Sequence, residues 1–283
     1  MSGPVVVGVD GSGPAVEAVR WATAEARRRG VLLRLAHAEP PLPPDAPEPG
    51  ARSRAALHNQ AWQWLHEAAD VARAIDPEVA LSLHVEVAEP VRLLAAESTR
   101  ARLVVLGSRG SGGCTALPGS TVRTLVGRSA CPVVVVRGAQ RTGPVVVGVR
   151  DDNPTLLAHA FDQAESRGAR LVAVHARHAP PEAVAQGATA ADRGGTPAAI
   201  LAPWREKHPD VALEPVVARG TPVRALLDHA RDASLLVIGC RNRAALTGLL
   251  PCSTSRALIH HAPCPVMVVR ERAPGPTDIA AEP

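Results

Sequence analysis

The chain has 283 residues, 46% hydrophobic and 20% charged, which suits about two globular domains and excludes a disordered chain. The net charge is +4, Lys207 is the one lysine, and aromatics make up 2%, so no dense basic stripe with interleaved aromatics points to nucleic acid. The longest stretches free of Asp, Glu, Lys and Arg, residues 110–122 and 257–269, are 13 residues each, and the second holds two His and two Pro, which excludes a membrane span.

In chain order, residues 5–9 are a short apolar run rich in valine, which predicts a strand covered on both faces. No basic region precedes this run and Asp10 ends it, so no signal peptide is expected and the default is a cytoplasmic protein. Pro14, with Ser12 or Gly13 before it as a cap, opens a helix running to Arg29. Arg27, Arg28 and Arg29 read as its last turn, where cations suit the helix dipole. A strand over 31–37, a Pro-rich loop over 40–49, a helix over about 53–75 and a strand over 79–87 follow. Then come a helix over 90–100, a strand over 103–106, a glycine-rich loop, a helix over about 120–128 and a closing strand over 133–136.

This unit repeats. Gly3-Pro-Val-Val-Val-Gly-Val9 recurs as Gly143-Pro-Val-Val-Val-Gly-Val149, an offset of 140 that extends through Pro14/Pro154, Trp21/Phe161 and Glu25/Glu165. Pro90-Val-Arg92 recurs at Pro222-Val-Arg224, and Cys131-Pro-Val recurs at Cys264-Pro-Val. Two tandem domains are therefore expected, over 1–138 and 143–271, with a polar tail over 272–283. Alternating strands and helices predict an α/β fold, each domain an open five-stranded, mostly parallel sheet with helices on both faces. In such sheets ligands bind beyond the carboxyl ends of the strands, where strand order reverses. That singles out the loops after Val9 and Leu106. The end strands over 133–136 and 266–269 are matching apolar edges, expected to pair as an intramolecular pseudo-dimer. The segments 40–49 and 179–203 are long and rich in Pro, Ala and Gly, and are expected to be mobile loops.

The chemistry sits in the glycine loop. Gly107-Ser-Arg-Gly110 is followed by eight residues and then Gly119-Ser120-Thr121. Glycines let backbone N–H groups approach an anion closely, and a helix start offers unpaired N–H groups and a favourable dipole. Arg109 is a candidate phosphate partner, with a plain solvated arginine as the equal alternative. The second repeat has Gly239, Asn242 and Cys252-Ser253-Thr254, and Arg150 stands where the first has Asp10. No GxxxxGK[ST], GxSxG or HExxH occurs, which excludes a P-loop ATPase and leaves an elbow hydrolase or zincin unsupported. His37, His175, His260 and His261 read as structural. The five cysteines form no CxxC pair, so neither a disulfide framework nor a zinc site is indicated. Cys131 and Cys264 read as buried free thiols.

With its opening at Val5 to Ser12, its glycine loop and its closing Cys131-Pro-Val-Val-Val-Val136, nearly the whole chain resembles the universal stress protein family in its tandem-domain form. That family's nucleotide pattern is Gly, two residues, Gly, nine residues, then Gly-Ser or Gly-Thr. The first repeat is one residue short of it, with Pro118 directly before Gly119. The resemblance implies two tandem Rossmann-like domains of the adenine nucleotide alpha hydrolase-like kind. It also implies ATP binding, with Mg²⁺ able to accompany the nucleotide and adenine lying against the first two strands. Carried over residue by residue, Asp10 contacts the adenosine and Ala38 lies by the adenine; the alternative for Asp10 is a carboxylate at the helix approach bonded to backbone N–H groups. Gly107, Gly110, Gly119, Ser120 and Thr121 hold ribose and phosphates. No catalytic or metal-binding residue is implied. The expectation is one ATP in the N-terminal domain of a regulatory, stress-response module that is not an enzyme. A regulatory protein partner goes unnamed by the sequence, and a further homodimer stays open. The alternative is a nucleotide-independent interaction scaffold of the same fold.

Overall fold

Short valine- and leucine-rich runs, punctuated by proline at helix starts and glycine at helix ends, set the architecture. The computed structural model describes residues 3–41, 51–108, 120–138, 141–150, 153–177, 197–240 and 253–270. The first repeat runs β1 (Val5–Gly8), α1 (Gly13–Arg29), β2 (Leu33–Glu39), α2 (Ala51–Ile75), β3 (Leu81–Val87), α3 (Pro90–Ser98), β4 (Leu103–Gly107), α4 (Ser120–Arg128) and β5 (Val133–Val136). The second runs β6 (Val145–Gly148), α5 (Pro154–Arg167), β7 (Leu171–Arg177), α6 (Pro197–Lys207), β8 (Leu213–Arg219), α7 (Pro222–His229), β9 (Leu235–Cys240), α8 (Ser253–His261) and β10 (Val266–Arg270).

The two leading helices are punctuated alike. Ser12 caps α1 by accepting the Ala15 N–H, and Asn153 caps α5 by accepting the Leu156 N–H at 3.0 Å. Pro14 and Pro154 occupy the first turns, where a missing N–H costs nothing. Gly30 and Gly168 end the helices in the left-handed conformation, with φ of 58° and 57°.

Within each repeat all strand pairs are parallel, in the order β3-β2-β1-β4-β5 and its mirror β10-β9-β6-β7-β8. The two expected five-stranded sheets are fused into one sheet of ten strands. The join is β5 against β10, antiparallel, with Val134 opposite Met267 and Val135 opposite Val266. Each would otherwise be a bare apolar edge, and each satisfies the other's backbone groups. Helices α1, α2, α5 and α6 cover one face of the sheet, and α3, α4, α7 and α8 cover the other.

Helix α6 corrects one expectation. Residues 197–203 belong to it rather than to a long loop, although Pro203 lies inside it. Packing outweighs propensity here. Leu201 is fully buried, and Trp204 stacks on Phe161 with ring centroids 5.7 Å apart. The rest of that segment, and residues 42–49 of the other, lie outside the described residues. No helix among the described residues is long and apolar enough to cross a membrane.

Candidate functional site

Strand order reverses beside β1, because the chain passes one way to β2 and β3 and the other way to β4 and β5. A crevice therefore opens beyond the carboxyl ends of β1 and β4. The loop that closes β1 is held from within. Asp10 Oδ1 accepts the Ser12 backbone N–H at 3.1 Å and the Ser12 hydroxyl at 2.6 Å. The same Ser12 oxygen accepts from Ala15 at the start of α1. His37 Nδ1 lies 2.7 Å from the Val9 carbonyl. A carbonyl only accepts, so Nδ1 carries the proton and ties β2 to the end of β1. Trp64 of α2 meets the His37 ring edge-on at 5.4 Å. It also underlies Gly11, whose φ is +75° and whose added Cβ would lie 2.4 Å from the indole. Nothing larger than hydrogen fits between that loop and Trp64.

The structure brings Asp10, Ala38 and Gly107 to this one end of the sheet. Ala38 is half-buried on β2, opposite Glu86 of β3. Gly107 ends β4, and a Cβ there would lie 2.6 Å from the Pro14 backbone. The space left by its missing side chain is taken by the first turn of α1, a packing reason beside the phosphate reason read from sequence. Helix α4 carries the chain from the end of β4 back to β5, and it opens with Ser120 and a half-buried Thr121. Arg109, Gly110 and Gly119 lie outside the described residues, as do Asn242 and Cys252 of the second repeat. Sequence reasoning missed Trp64 as the floor of the loop, although Trp62-Gln-Trp64 was visible at mid-helix.

The second repeat keeps the scaffold and changes the crevice. His175 Nδ1 donates to the Val149 carbonyl at 3.1 Å, repeating the His37 tie. Arg150 is exposed where Asp10 sits, and Trp204 stacks on Phe161 in the core. Among the described residues no group of three His, Cys, Asp or Glu is placed to hold a metal ion. Cys131 and Cys264 are buried free thiols, and burial pushes them up to about 11 and about 12, which keeps them protonated and inert.

The seam between repeats carries the strongest electrostatics. The Glu25 side chain is wholly buried. It accepts from Arg28 and Arg167 at 2.8 Å, from Gln163 at 3.0 Å and from Arg29. Burial alone would raise its pKa, but Arg167 and Arg29 bring it down to about 2. Arg29 also pairs with Asp162 at 2.8 Å, and Arg102 pairs with the same carboxylate at 2.7 Å. The arginines expected only to face the helix dipole thus include two that bridge the seam network, Arg29 directly to α5.

The universal stress protein family model matches residues 1–137 and again 142–270. A universal stress protein of Mycolicibacterium smegmatis is 34% identical over 287 residues, covering 95% of this chain and 97% of that protein. One from Mycobacterium tuberculosis is 34% identical over 291 residues, covering 94% and 96%. Among solved structures, a universal stress protein from Archaeoglobus fulgidus superposes with a TM-score of 0.74 at 16% identity, covering 95% of this chain and 99% of that one.

Proposed function

The chain belongs to the universal stress protein family, and on that premise we propose a cytoplasmic stress-response module that holds one ATP in its N-terminal repeat and acts by binding rather than turnover. The observation that carries this reading is the crevice at the switch point of the first repeat. Its floor is built around a stiffened Asp10–Gly11 loop and bordered by the small residues Ala38 and Gly107. Asp10 faces the adenosine and Ala38 leaves room for a planar base. The glycine loop with Arg109, Gly110 and Gly119 meets the phosphates, and Ser120 and Thr121 supply hydroxyls at the start of α4. Bound ATP supplies the phosphate charge that a regulatory surface reads, and Mg²⁺ travels with it.

The alternative, a nucleotide-independent scaffold, is favoured by one observation. Asp10 and Gly107 already have structural work, against Ser12 and Pro14. Titrating the purified chain with ATP while following tryptophan emission separates the two readings. Trp64 lies under the loop that would clasp the nucleotide. A saturable change that Trp64→Phe abolishes, with binding itself retained in that variant by dialysis, supports ATP. No saturable change and no retained nucleotide supports the scaffold.

A further inference from the structure

A second cavity lies on the seam, made of parts that neither crevice uses. It is a half-open cavity of about 480 Å³, within the range of small-molecule sites. It is lined by Arg28 and Trp21 of α1, by the residues after α5 with Arg167 and Arg170, by the connector from Arg141 to Pro144, and by Ser234. Four guanidiniums border it, and no carboxylate does among the described residues.

The two-fold relation between repeats explains why it is there. Across the seam, Arg29 and Arg102 of the first repeat close on Asp162 of the second. The repeat offset places Ala169 at the counterpart of Arg29 and Ala22 at that of Asp162. Ser234 is the counterpart of Arg102, because each donates its backbone N–H to the proline before the first strand, Pro4 or Pro144, at 2.9 Å. One side of the seam is thus filled by an ion cluster. The other has the small residues Ala22, Ala169 and Ser234 in its place and is left hollow.

The charge around the hollow is not balanced. Glu25 serves Arg28, Arg29 and Arg167 together, Glu214 takes Arg170 at 2.9 Å, and Asp232 stands 4.0 Å from Arg141. Among the described residues the four bordering guanidiniums thus share three carboxylates, one of which, Glu25, also serves Arg29. Burial, with Arg28 and Arg29 nearby, holds Arg167 down to about 10 in spite of Glu25.

We propose that this cavity is a binding site for a small phosphate-bearing anion, whose phosphoryl group is held among the guanidiniums of Arg28, Arg141, Arg167 and Arg170. A planar guanidinium fork matches phosphate oxygens in pairs, and several forks around one cavity select for multiple negative charge. Trp21, with Arg167 stacked 5.5 Å from its ring, forms the wall behind.

The test is calorimetry on the full chain at low salt without nucleotide, because ATP is itself a phosphate-bearing anion that would compete for the cavity. Inorganic pyrophosphate is one titrant and phenyl phosphate the other, which separates a free phosphate chain from a phosphate ester. One saturable site is expected for at least one titrant. Arg141→Gln with Arg170→Gln, two partly exposed positions, should weaken it at least tenfold, since each lost charge-assisted bond costs roughly tenfold or more. Ser234→Asp, which supplies an internal carboxylate to the hollow, should weaken it as strongly. ATP affinity should stay unchanged in both. No saturable heat, or an affinity unmoved by both variants, overturns the proposal. So does duplex DNA binding that the same arginine variant abolishes in the absence of any small-anion site.

Discussion

Glu25 and Glu165 stand at the same place in the two repeats, yet one side chain is wholly buried among three arginines and the other is 58% exposed beside His208. Asp10 and Arg150 are likewise counterparts, with opposite charge at the mouth of equivalent crevices. The parts that have stayed the same build the sheet. They are the Gly-Pro-Val-Val-Val-Gly-Val strand, proline in the first helical turn, glycine after the last, and a histidine tied to the end of the first strand. The parts that differ line cavities or the seam. A duplicated fold keeps what its backbone needs, while positions facing a ligand or a neighbour are free to diverge.

The seam offers the largest effect with which to break this comparison. Glu25→Ala leaves Arg28, Arg29 and Arg167 without their shared counter-charge and should cost about 3–5 kcal/mol in denaturant unfolding. Glu165→Ala removes an exposed pair and should cost under about 1 kcal/mol. Equal losses would show that the seam is symmetric after all.

Acid unfolding sharpens the same contrast. The Glu25 carboxyl sits at about 2 in the folded chain, below its ordinary 4.5. A depressed folded pKa adds stability that is present above 4.5 and is lost as pH falls toward about 2. The loss amounts to about 3 kcal/mol over that window. Stability measured from pH 5 to 2 should fall by that order, and Glu25→Gln should flatten the curve, lowering it above pH 4.5 and converging on the wild type near pH 2.

At the crevice, Gly11→Ala combines a left-handed backbone with a Cβ driven into Trp64. It should cost about 1–3 kcal/mol and weaken ATP, by thermal melting and equilibrium dialysis respectively. The smallest effect is expected in the second repeat, where Cys252→Val should leave ATP affinity unaltered and move stability by less than about 1 kcal/mol.

Nearly every strand and helix among the described residues was legible in the sequence, because proline and glycine punctuate the chain and the repeat reads each signal twice. The fusion into one sheet was legible for a related reason, since two matching apolar edge strands need partners. The seam network was not. Three arginines before a glycine read as a helix end, and nothing in one-dimensional spacing shows that Arg29 reaches Asp162, 133 residues away. Gly107 was legible as a glycine that something approaches closely, but not that Pro14 approaches it. Trp64 was hidden because its partner is a backbone turn, which leaves no side-chain pattern to match.

The central claim is that one chain has one nucleotide site and that it lies in the first repeat. Isothermal calorimetry of ATP into the wild-type chain and into Gly119→Val tests it most directly. A phosphate resting on backbone N–H groups needs the space of a missing Cβ, and each charge-assisted bond lost costs about 1.5–3 kcal/mol, roughly ten- to a hundredfold in affinity. The account predicts one ATP per chain in the wild type and none in a folded Gly119→Val. Two equivalent sites per chain, or an affinity unchanged by Gly119→Val, would contradict it.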